Sequence, residues 1–395
     1  MSLKFTKSTD LNSLNLQIDN INLSLINAVR RCILAEFPTI GFKTEDYVNS
    51  DLKVIENTSS MHNEYILHRI GLVPIHYDSI KQFNPEKYKF ILKMENNTNS
   101  TISIKSNDIK VFNNETGEEE KSINFFPPDP DTKDYILLHK LKSNPNKIGE
   151  KLHIEGNASI NVGSVNSRFS PVSCVTFQNK INEEKKNKAK EIYVKKQLSK
   201  EQLTNTKLVK STELDFDLSM GERYFYTDEN DNPNVFLMYI ESIGVIPSHI
   251  ILYETLDIII NKLKLFAELV DNLITKNINE SDKISIEKSK DTMDAYELII
   301  QNETHTLGNL IQSYATTIYD DKQINYIGYK NPHPLKKQII IKIKTENNTL
   351  NEINSILSNI CRTIIDISNN LKKQIEINFK MTKTIKKKSK LVKST

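Results

Sequence analysis

Two hydrophobic periods alternate along the chain. Residues 14 to 19, LNLQID, place apolar and polar side chains in turn, as a half-buried strand does. Ser24 then stands as the cap of a segment in which Leu25, Val29, Cys32 and Glu36 recur at helical spacing until Pro38. The same sequence of elements returns later. From Val235 the strand-like FLMYIESIG leads to a long helical candidate, Tyr253 to Ile274. There Leu256, Ile259, Ile260, Leu263, Phe266, Leu269, Val270 and Leu273 form a wide apolar stripe that needs a partner. A polar link, Lys276 to Asp291, precedes a strand (Tyr296, Leu298, Ile300) and a helix (Leu307 to Ile318). An alternating strand (Ile339, Ile341, Ile343) and a last helix from Thr349 to Leu371 follow. Residues 50 to about 215 differ. Short β-like runs such as LHIEGNASINV (Leu152 to Val162) sit between turn-rich pieces such as Pro127-Pro128-Asp129-Pro130. Asn182 to Lys210, dense in Lys and Glu, reads as a solvated helix or a linker.

The order strand, helix, strand, helix thus occurs twice, and the letters repeat with it. Ile18, Asn20, Leu25 and Asn27 reappear as Ile300, Asn302, Leu307 and Asn309, each 282 residues on, and Ile40-Gly41-Phe42-Lys43 returns as Ile327-Gly328-Tyr329-Lys330. We read an α+β chain built from two copies of one unit, with a β-rich domain inserted in the first. Residues 1–49 and 215–280 make the first, discontinuous unit and 50–214 the insertion. Residues 281–293 make a linker, 294–375 the second unit, and 376–395 a basic tail. Each copy has a helical stripe to bury, so a pseudo-twofold pair packed through a helix bundle is expected, and no homodimer is required. Its seam would hold Leu25, Val29, Cys32, Leu263 and Phe266 of the first copy against Leu307, Leu310, Ile311 and Tyr314 of the second.

On the first helix, Leu25, Ala28, Val29 and Cys32 face one way, and Leu34 faces the other with Arg30 and Arg31 beside it. A leucine between arginines has the composition of an interface anchor; the plain alternative is an exposed leucine among solvated charges. The matching positions of the second copy are Gln312, Ser313 and Thr316, so if both outer faces dock something, they dock different things.

Composition bounds the chemistry. At 395 residues two or three domains are expected, and 38% hydrophobic with 26% charged residues is a globular balance. The net charge of +3 hides a bias: residues 380 to 395 hold seven lysines and no acid, leaving 46 basic against 50 acidic residues elsewhere. That tail reads as a basic arm, with Lys386, Lys387 and Lys388 the candidates for phosphate contact, or else as a solubilising end. Cys32, Cys174 and Cys361 are too far apart for a disulfide framework or a local zinc site, so an intracellular protein is expected. An N-terminus without an apolar run, and no stretch of 18 uncharged apolar residues, point away from secretion and from the membrane. Neither a G-x-x-x-x-G-K-S/T nor a G-x-G-x-x-G motif occurs. Asp228, Asn230 and Asn232 imitate a calcium loop, but Pro233 and Tyr239 replace its glycine and closing glutamate, which leaves a turn. We expect no catalytic residue, metal or cofactor.

SLINAVRRCILAEFPTIGFK (Ser24 to Lys43), followed by VIENTSSMHNEYILHRIGLVPI (Val54 to Ile75), resembles the third-largest subunit of eukaryotic RNA polymerase II, the archaeal D subunit and, more distantly, the bacterial alpha subunit. NETHTLGNLIQSY (Asn302 to Tyr314) with IGYKNPHPL (Ile327 to Leu335) resembles the eleventh subunit and archaeal L. The resemblance covers Leu14 to Ile75, the weaker Asn161 to Phe177, Phe236 to Ile274, and Ala295 to Leu371. It leaves out Asn182 to Lys210 and the tail. Two subunits look fused, as in large eukaryotic DNA viruses. The resemblance implies a non-catalytic assembly platform for the two largest subunits, with small polymerase subunits as further partners and DNA or RNA reached indirectly or through the tail. It assigns Arg30, Arg31, Leu34, Glu64, His68 and Arg69 to the contact with the second-largest subunit. The implied compartment is a nucleus, a cytoplasmic viral factory or a virion. His62 and His68 read as packing or hydrogen-bonding groups. The family's clustered cysteines are missing from the inserted domain, and Asn166 and Ser167 stand where His and Ala are common, which puts contacts with small zinc-bearing subunits in doubt. A free-standing nucleic-acid-binding protein acting through the tail is the alternative.

Overall fold

The computed structural model describes residues 2–6, 11–77, 80–143, 149–275, 281–289 and 294–380. It is a mixed α+β structure. Along the chain run β1 (Ser2–Thr6), β2 (Ser13–Asp19), α1 (Leu23–Ala35), β3 (Pro38–Gly41), β4 (Leu52–Asn57), α2 (Asn63–Gly71), β5 (Tyr88–Glu95) and β6 (Ile102–Lys105). Next come β7 (Lys110–Asn113), β8 (Glu119–Glu120), β9 (Leu137–Leu141), β10 (Lys151–Gly156), β11 (Ser159–Val162), β12 (Val172–Asn179), α3 (Glu183–Gln197) and α4 (Thr206–Ser219). The remainder is β13 (Val235–Ser242), α5 (Ser248–Thr275), β14 (Ile284–Lys288), β15 (Tyr296–Gln301), α6 (His305–Ile318), β16 (Ile324–Lys330), β17 (Gln338–Thr345) and α7 (Leu350–Phe379). Two compact units result: one of Met1–Cys32, Cys174–Glu241 and Ser248–Thr395, the other of Ile33–Ser173 and Ser242–Pro247.

In the first unit, period-two alternation builds two antiparallel sheets. One has the order β1-β2-β13-β12, and its register sets Leu14, Leu16 and Ile18 opposite Ile240, Met238 and Phe236, all buried. The other has the order β14-β15-β17-β16, with Leu298 opposite Ile341 and Ile300 opposite Ile339. Strand β14 corrects the expectation of a linker over 281–293. Ile284 and Ile286 pair with Ile300 and Leu298, and five residues flanked by Lys and Glu are too short a run to stand out in the sequence. The apolar stripes of α5 and α7 are both buried. Polar contacts fix their register: Tyr253 donates to Glu376 Oε1 (2.6 Å), Asn354 to Asp271 Oδ1 (2.9 Å), and Lys372 pairs with Asp257 while lying 4.2 Å from the Tyr253 ring. Helix α7 continues past Leu371 because Ile375 stays buried and Phe379 stacks on His249 and meets Phe5 edge-on.

The cap of α1 is not Ser24. Asn22 Oδ1 accepts from Ser24 N (2.8 Å), while Ser24 Oγ is buried and finds no hydrogen-bond partner among the described residues. The Asn182 to Lys210 segment is a folded hairpin rather than a linker. Asn182 and Asn205 cap α3 and α4, Phe216 lies between Tyr193 and Tyr224, and Lys186 and Lys190 both meet Asp217.

The second unit holds the sheet β4-β10-β5-β7-β8, the ribbons β11-β3 and β6-β9, and helix α2. Phe42, Phe90, Phe125 and Phe126 lie at its centre. The run Leu152 to Val162 forms two strands, broken at Asn157-Ala158: β10 pairs with β4 and β5, and β11 with β3. Compactness therefore divides the chain at Ile33 and Ser173, and α3 and α4 fall in the first unit rather than in an insertion ending at 214.

Burial holds the imidazoles of His76, His139 and His249 below their usual range. A histidine whose folded value lies below its unfolded 6.5 contributes stability above pH 6.5, and that contribution is lost as the pH falls further. The urea midpoint is accordingly expected to fall between pH 7.5 and pH 5.5, and His139→Gln to flatten the fall, because neither ring nitrogen of His139 has a hydrogen-bond partner among the described residues. An equal slope in the variant would contradict the assignment.

Candidate assembly surface and pairing helices

The nine seam residues anticipated from the stripes, Leu25, Val29, Cys32, Leu263, Phe266, Leu307, Leu310, Ile311 and Tyr314, all lie in the first unit and none is more than 4% exposed. Burial pushes the Tyr314 phenol above its usual range, and the Cys361 thiol of α7 up to about 12, so that cysteine is held as an inert apolar group. The repeated letters occupy matching places. Ile18 and Ile300 are buried in β2 and β15, Leu25 and Leu307 are buried in α1 and α6, and Asn20 and Asn302 both take a left-handed backbone (φ 55° and 60°) at the turn from strand to helix.

Polar contacts join α1 and the residue before it to α6, and α5 to the turn before α6. Ser313 Oγ of α6 donates to Asn22 Oδ1 (3.0 Å), Asn22 Nδ2 donates to Thr317 Oγ1 (3.3 Å), and Arg31 Nε donates to Thr306 Oγ1 (2.9 Å). Lys262 of α5 and Glu303, just before α6, form an ion pair at 3.1 Å, with side chains only 19% and 17% exposed. Arg31 therefore engages the other copy instead of standing on a free outer face, which corrects the helical-wheel expectation. Arg30 is half-buried and donates twice to Asn27 Oδ1 (3.1 and 2.9 Å). Leu34, in the second unit, is half-buried rather than exposed. Gly163 lies against its carbonyl so closely that a Cβ there would sit 1.9 Å from the oxygen, and Ser164 N donates to Ala35 O (2.9 Å).

Helix α2 carries the other candidates. Ile66, Leu67 and Ile70 turn into the core, and Glu64 and His68 are exposed. His62 accepts from Glu64 N as the helix cap (3.4 Å), the hydrogen-bonding role read from sequence. Arg69 donates to Leu138 O (2.8 Å) and Leu137 O (2.9 Å), so its fork is fixed on β9. The sequence reading missed Tyr65, which is 71% exposed, and exposed Leu72. Tyr65, His68 and Leu72 follow helical spacing on the side away from Ile66 and Ile70, which was the available signal; an exposed aromatic among charges is the composition of an interface anchor.

Arg168 was also missed. Its side chain is 4% exposed; Nε meets Glu45 Oε1 (3.3 Å), and Nη1 donates to Phe42 O (3.3 Å) and to Thr44 Oγ1. Asn166 accepts from Arg168 N (3.0 Å) and so caps the turn that carries the arginine. Beside it lies a cavity of about 240 Å³ lined by Ile40, Gly71, Pro74, Tyr77 and Ile246.

Among the described residues no group of three His, Cys, Asp or Glu side chains is placed to hold a metal ion, and no helix is long and apolar enough to cross a membrane. Asp228 Oδ1 accepts from Asn230 N and Asn232 N, an Asx turn. Lys386, Lys387 and Lys388 lie outside the described residues.

The RNA polymerase Rpb3/Rpb11 dimerisation domain matches the chain twice, over residues 15–263 and residues 295–374. The subunit RPAC1 of DNA-directed RNA polymerases I and III from Saccharomyces cerevisiae is 26% identical over 201 residues, 43% of this chain and 55% of that protein. The DNA-directed RNA polymerase subunit Rpo3 of Methanobrevibacter smithii is 28% identical over 167 residues, 41% of this chain and 52% of that one. The probable DNA-directed RNA polymerase II subunit RPB11 of Caenorhabditis elegans is 39% identical over 70 residues, 18% of this chain and 55% of that one. The chain thus spans about half the length of these curated relatives.

Proposed function

Because the chain belongs to the family of RNA polymerase Rpb3/Rpb11 dimerisation domains, we propose that it is a non-catalytic assembly subunit of a DNA-directed RNA polymerase, with two unlike dimerisation units joined in one polypeptide. One observation carries this reading: both family matches occur in a single chain, and side chains of the two matched stretches meet, Asn22 with Ser313, Arg31 with Thr306 and Asp257 with Lys372. A pseudo-twofold pairing of the two units is supported by these contacts. The counterparts of Asn22 and Ser313, each 282 residues away, are Thr304 and Arg31, and Arg31 bonds Thr306, two residues beyond.

In this reading the pair replaces a dimer of separate subunits and forms the platform on which the two largest polymerase subunits gather. Arg30 and Leu34 on α1 and Glu64, Tyr65, His68 and Arg69 on α2 are assigned to the second-largest subunit, while Arg31 serves the pairing. Nucleotide addition then belongs to the large subunits. The joined arrangement resembles that of large eukaryotic DNA viruses and favours such a source, with assembly in a nucleus or a cytoplasmic viral factory.

Affinity isolation from the native source, with mass spectrometry and a nucleotide-incorporation assay, tests the proposal. Two very large chains and RNA synthesis should be recovered, and Tyr65→Ala with His68→Glu should cut recovery of a large chain about tenfold or more, the loss of an interface anchor, at an unchanged thermal midpoint. Recovery of the chain alone, or only with nucleic acid that leaves on nuclease treatment, would overturn it and direct attention to the basic tail.

A further inference from the structure

Helices α5 and α7 are counterparts. Leu256, Leu263 and Val270 of α5 are buried, and so are Leu357, Ile364 and Leu371 of α7, each 101 residues on. By the same count Tyr253 matches Asn354, Asp257 matches Ser358, and Asp271 matches Lys372. The contacts between the helices follow this match. Near one end of the pair Lys372 lies 4.2 Å from the Tyr253 ring, and near the other Asn354 donates to Asp271 Oδ1 (2.9 Å). One contact is thus made twice, with different chemistry each time. At the first end Lys372 also forms an ion pair with Asp257, their side chains 14% and 35% exposed. At the second end Ser358 takes the place of Asp257, and its hydroxyl donates to Asn354 Oδ1 (3.4 Å).

This difference decides what α5 would meet in another α5. Each Asp271 would stand where Lys372 stands, beside an Asp257 carboxylate and over the face of a Tyr253 ring. Both are repulsive for an anion, the first by like charge and the second by the negative face of the ring, and the twofold would impose each of them twice. The two lysines of α5, Lys262 and Lys264, lie nearer its middle, five or more residues from either aspartate. A pair of α7 helices carries no such bar, because Lys372 would meet Asn354 and Ser358, which are neutral. We propose that Asp257 and Asp271 bar α5 from pairing with the α5 of another chain and so keep its apolar stripe for α7. The inference rests on the pairing of the two units described under the proposed function. Only α5 needs such a bar during synthesis. At about 5–20 residues per second, the roughly 100 residues between the end of α5 and the end of α7 take about 5–20 s to make, and neighbouring nascent chains meanwhile present the same stripe to each other. Helix α7 is made when its α5 is already there.

Two differently tagged full-length chains, co-expressed and captured through one tag, provide the test. The wild type should show little cross-capture. Asp271→Lys sets an ammonium beside Asp257 of the other chain and should raise cross-capture severalfold, whereas Asp271→Asn, which removes only the repulsion, should give a smaller rise. Adding Asp257→Asn to Asp271→Lys should bring the capture back down. Asn354→Ala removes the same hydrogen bond from the α7 side and leaves α5 unaltered, so it should stay at the wild-type level. Cross-capture by Asp271→Lys no higher than by Asn354→Ala would overturn the proposal. The pairing beneath it is read separately, from melting: Asp257→Lys should lower the thermal midpoint, and adding Lys372→Asp should recover part of the loss. Recovery supports the pairing whatever the cross-capture shows, and no recovery would overturn the pairing and the proposal together.

Discussion

Leu263→Asp should abolish the cooperative unfolding transition of the first unit. The side chain is 0% exposed in the middle of α5. An ionised carboxylate there would lack solvation, and a protonated one would still leave unmet hydrogen-bonding groups. Leu263→Ala, which removes methyl groups without adding a charge, should cost about 2–5 kcal/mol according to how far α5 and α7 close around the cavity. Lys264→Asp, one residue along on the exposed side, should stay within about 0.5 kcal/mol of the wild type. Urea titration followed by circular dichroism distinguishes the three. A folded, cooperative Leu263→Asp protein would show that α5 does not need its seam.

The second large effect belongs to the other unit. Arg168→Ala should destabilise it by about 3 kcal/mol, because the guanidinium serves Glu45, Thr44 and Phe42 O together and its removal leaves these groups without their donor. Glu45 keeps some access to water, which sets the figure at the low end for a broken buried pair. Arg168→Lys keeps the charge but loses the planar fork, so it should fall between alanine and the wild type. Gly71→Ala should reproduce much of the loss by a different route: an added Cβ would lie 2.1 Å from Arg168 Nη1 and 2.5 Å from Thr44 Oγ1. Thermal unfolding of the three variants, read at the near-ultraviolet signal of the tyrosines, checks the order. Equal midpoints for Arg168→Lys and wild type would remove the role given to the fork.

Much of the first unit was legible because its strands and helices obey clear periods. Alternation at Leu14 to Ile18 and at Ile339 to Ile343 becomes the centre of two sheets, and the stripe from Leu256 to Leu273 becomes a buried helix face. What escaped depended on neighbours distant in sequence. Arg31 lies to one side of its own helix, but only the folded chain brings Thr306 within 2.9 Å of it. Tyr193, Phe216 and Tyr224 make a small core of their own, which no local period in Asn182 to Lys210 announces. The cap of α1 passed from Ser24 to Asn22 because both are good caps two residues apart, and the side-chain geometry chose between them. On α2 the motif singles out Glu64 and His68, which are exposed, and Arg69, which is fixed on β9, whereas Tyr65 required asking which side of the helix the core leaves outside.

Native mass spectrometry of the assembly isolated from its source tests the central claim most directly. The account predicts one copy of this chain with one copy of each of two very large chains, since both dimerisation units reside in the same polypeptide. Two copies of this chain in each assembly, or a separate subunit paired with either half, would contradict it.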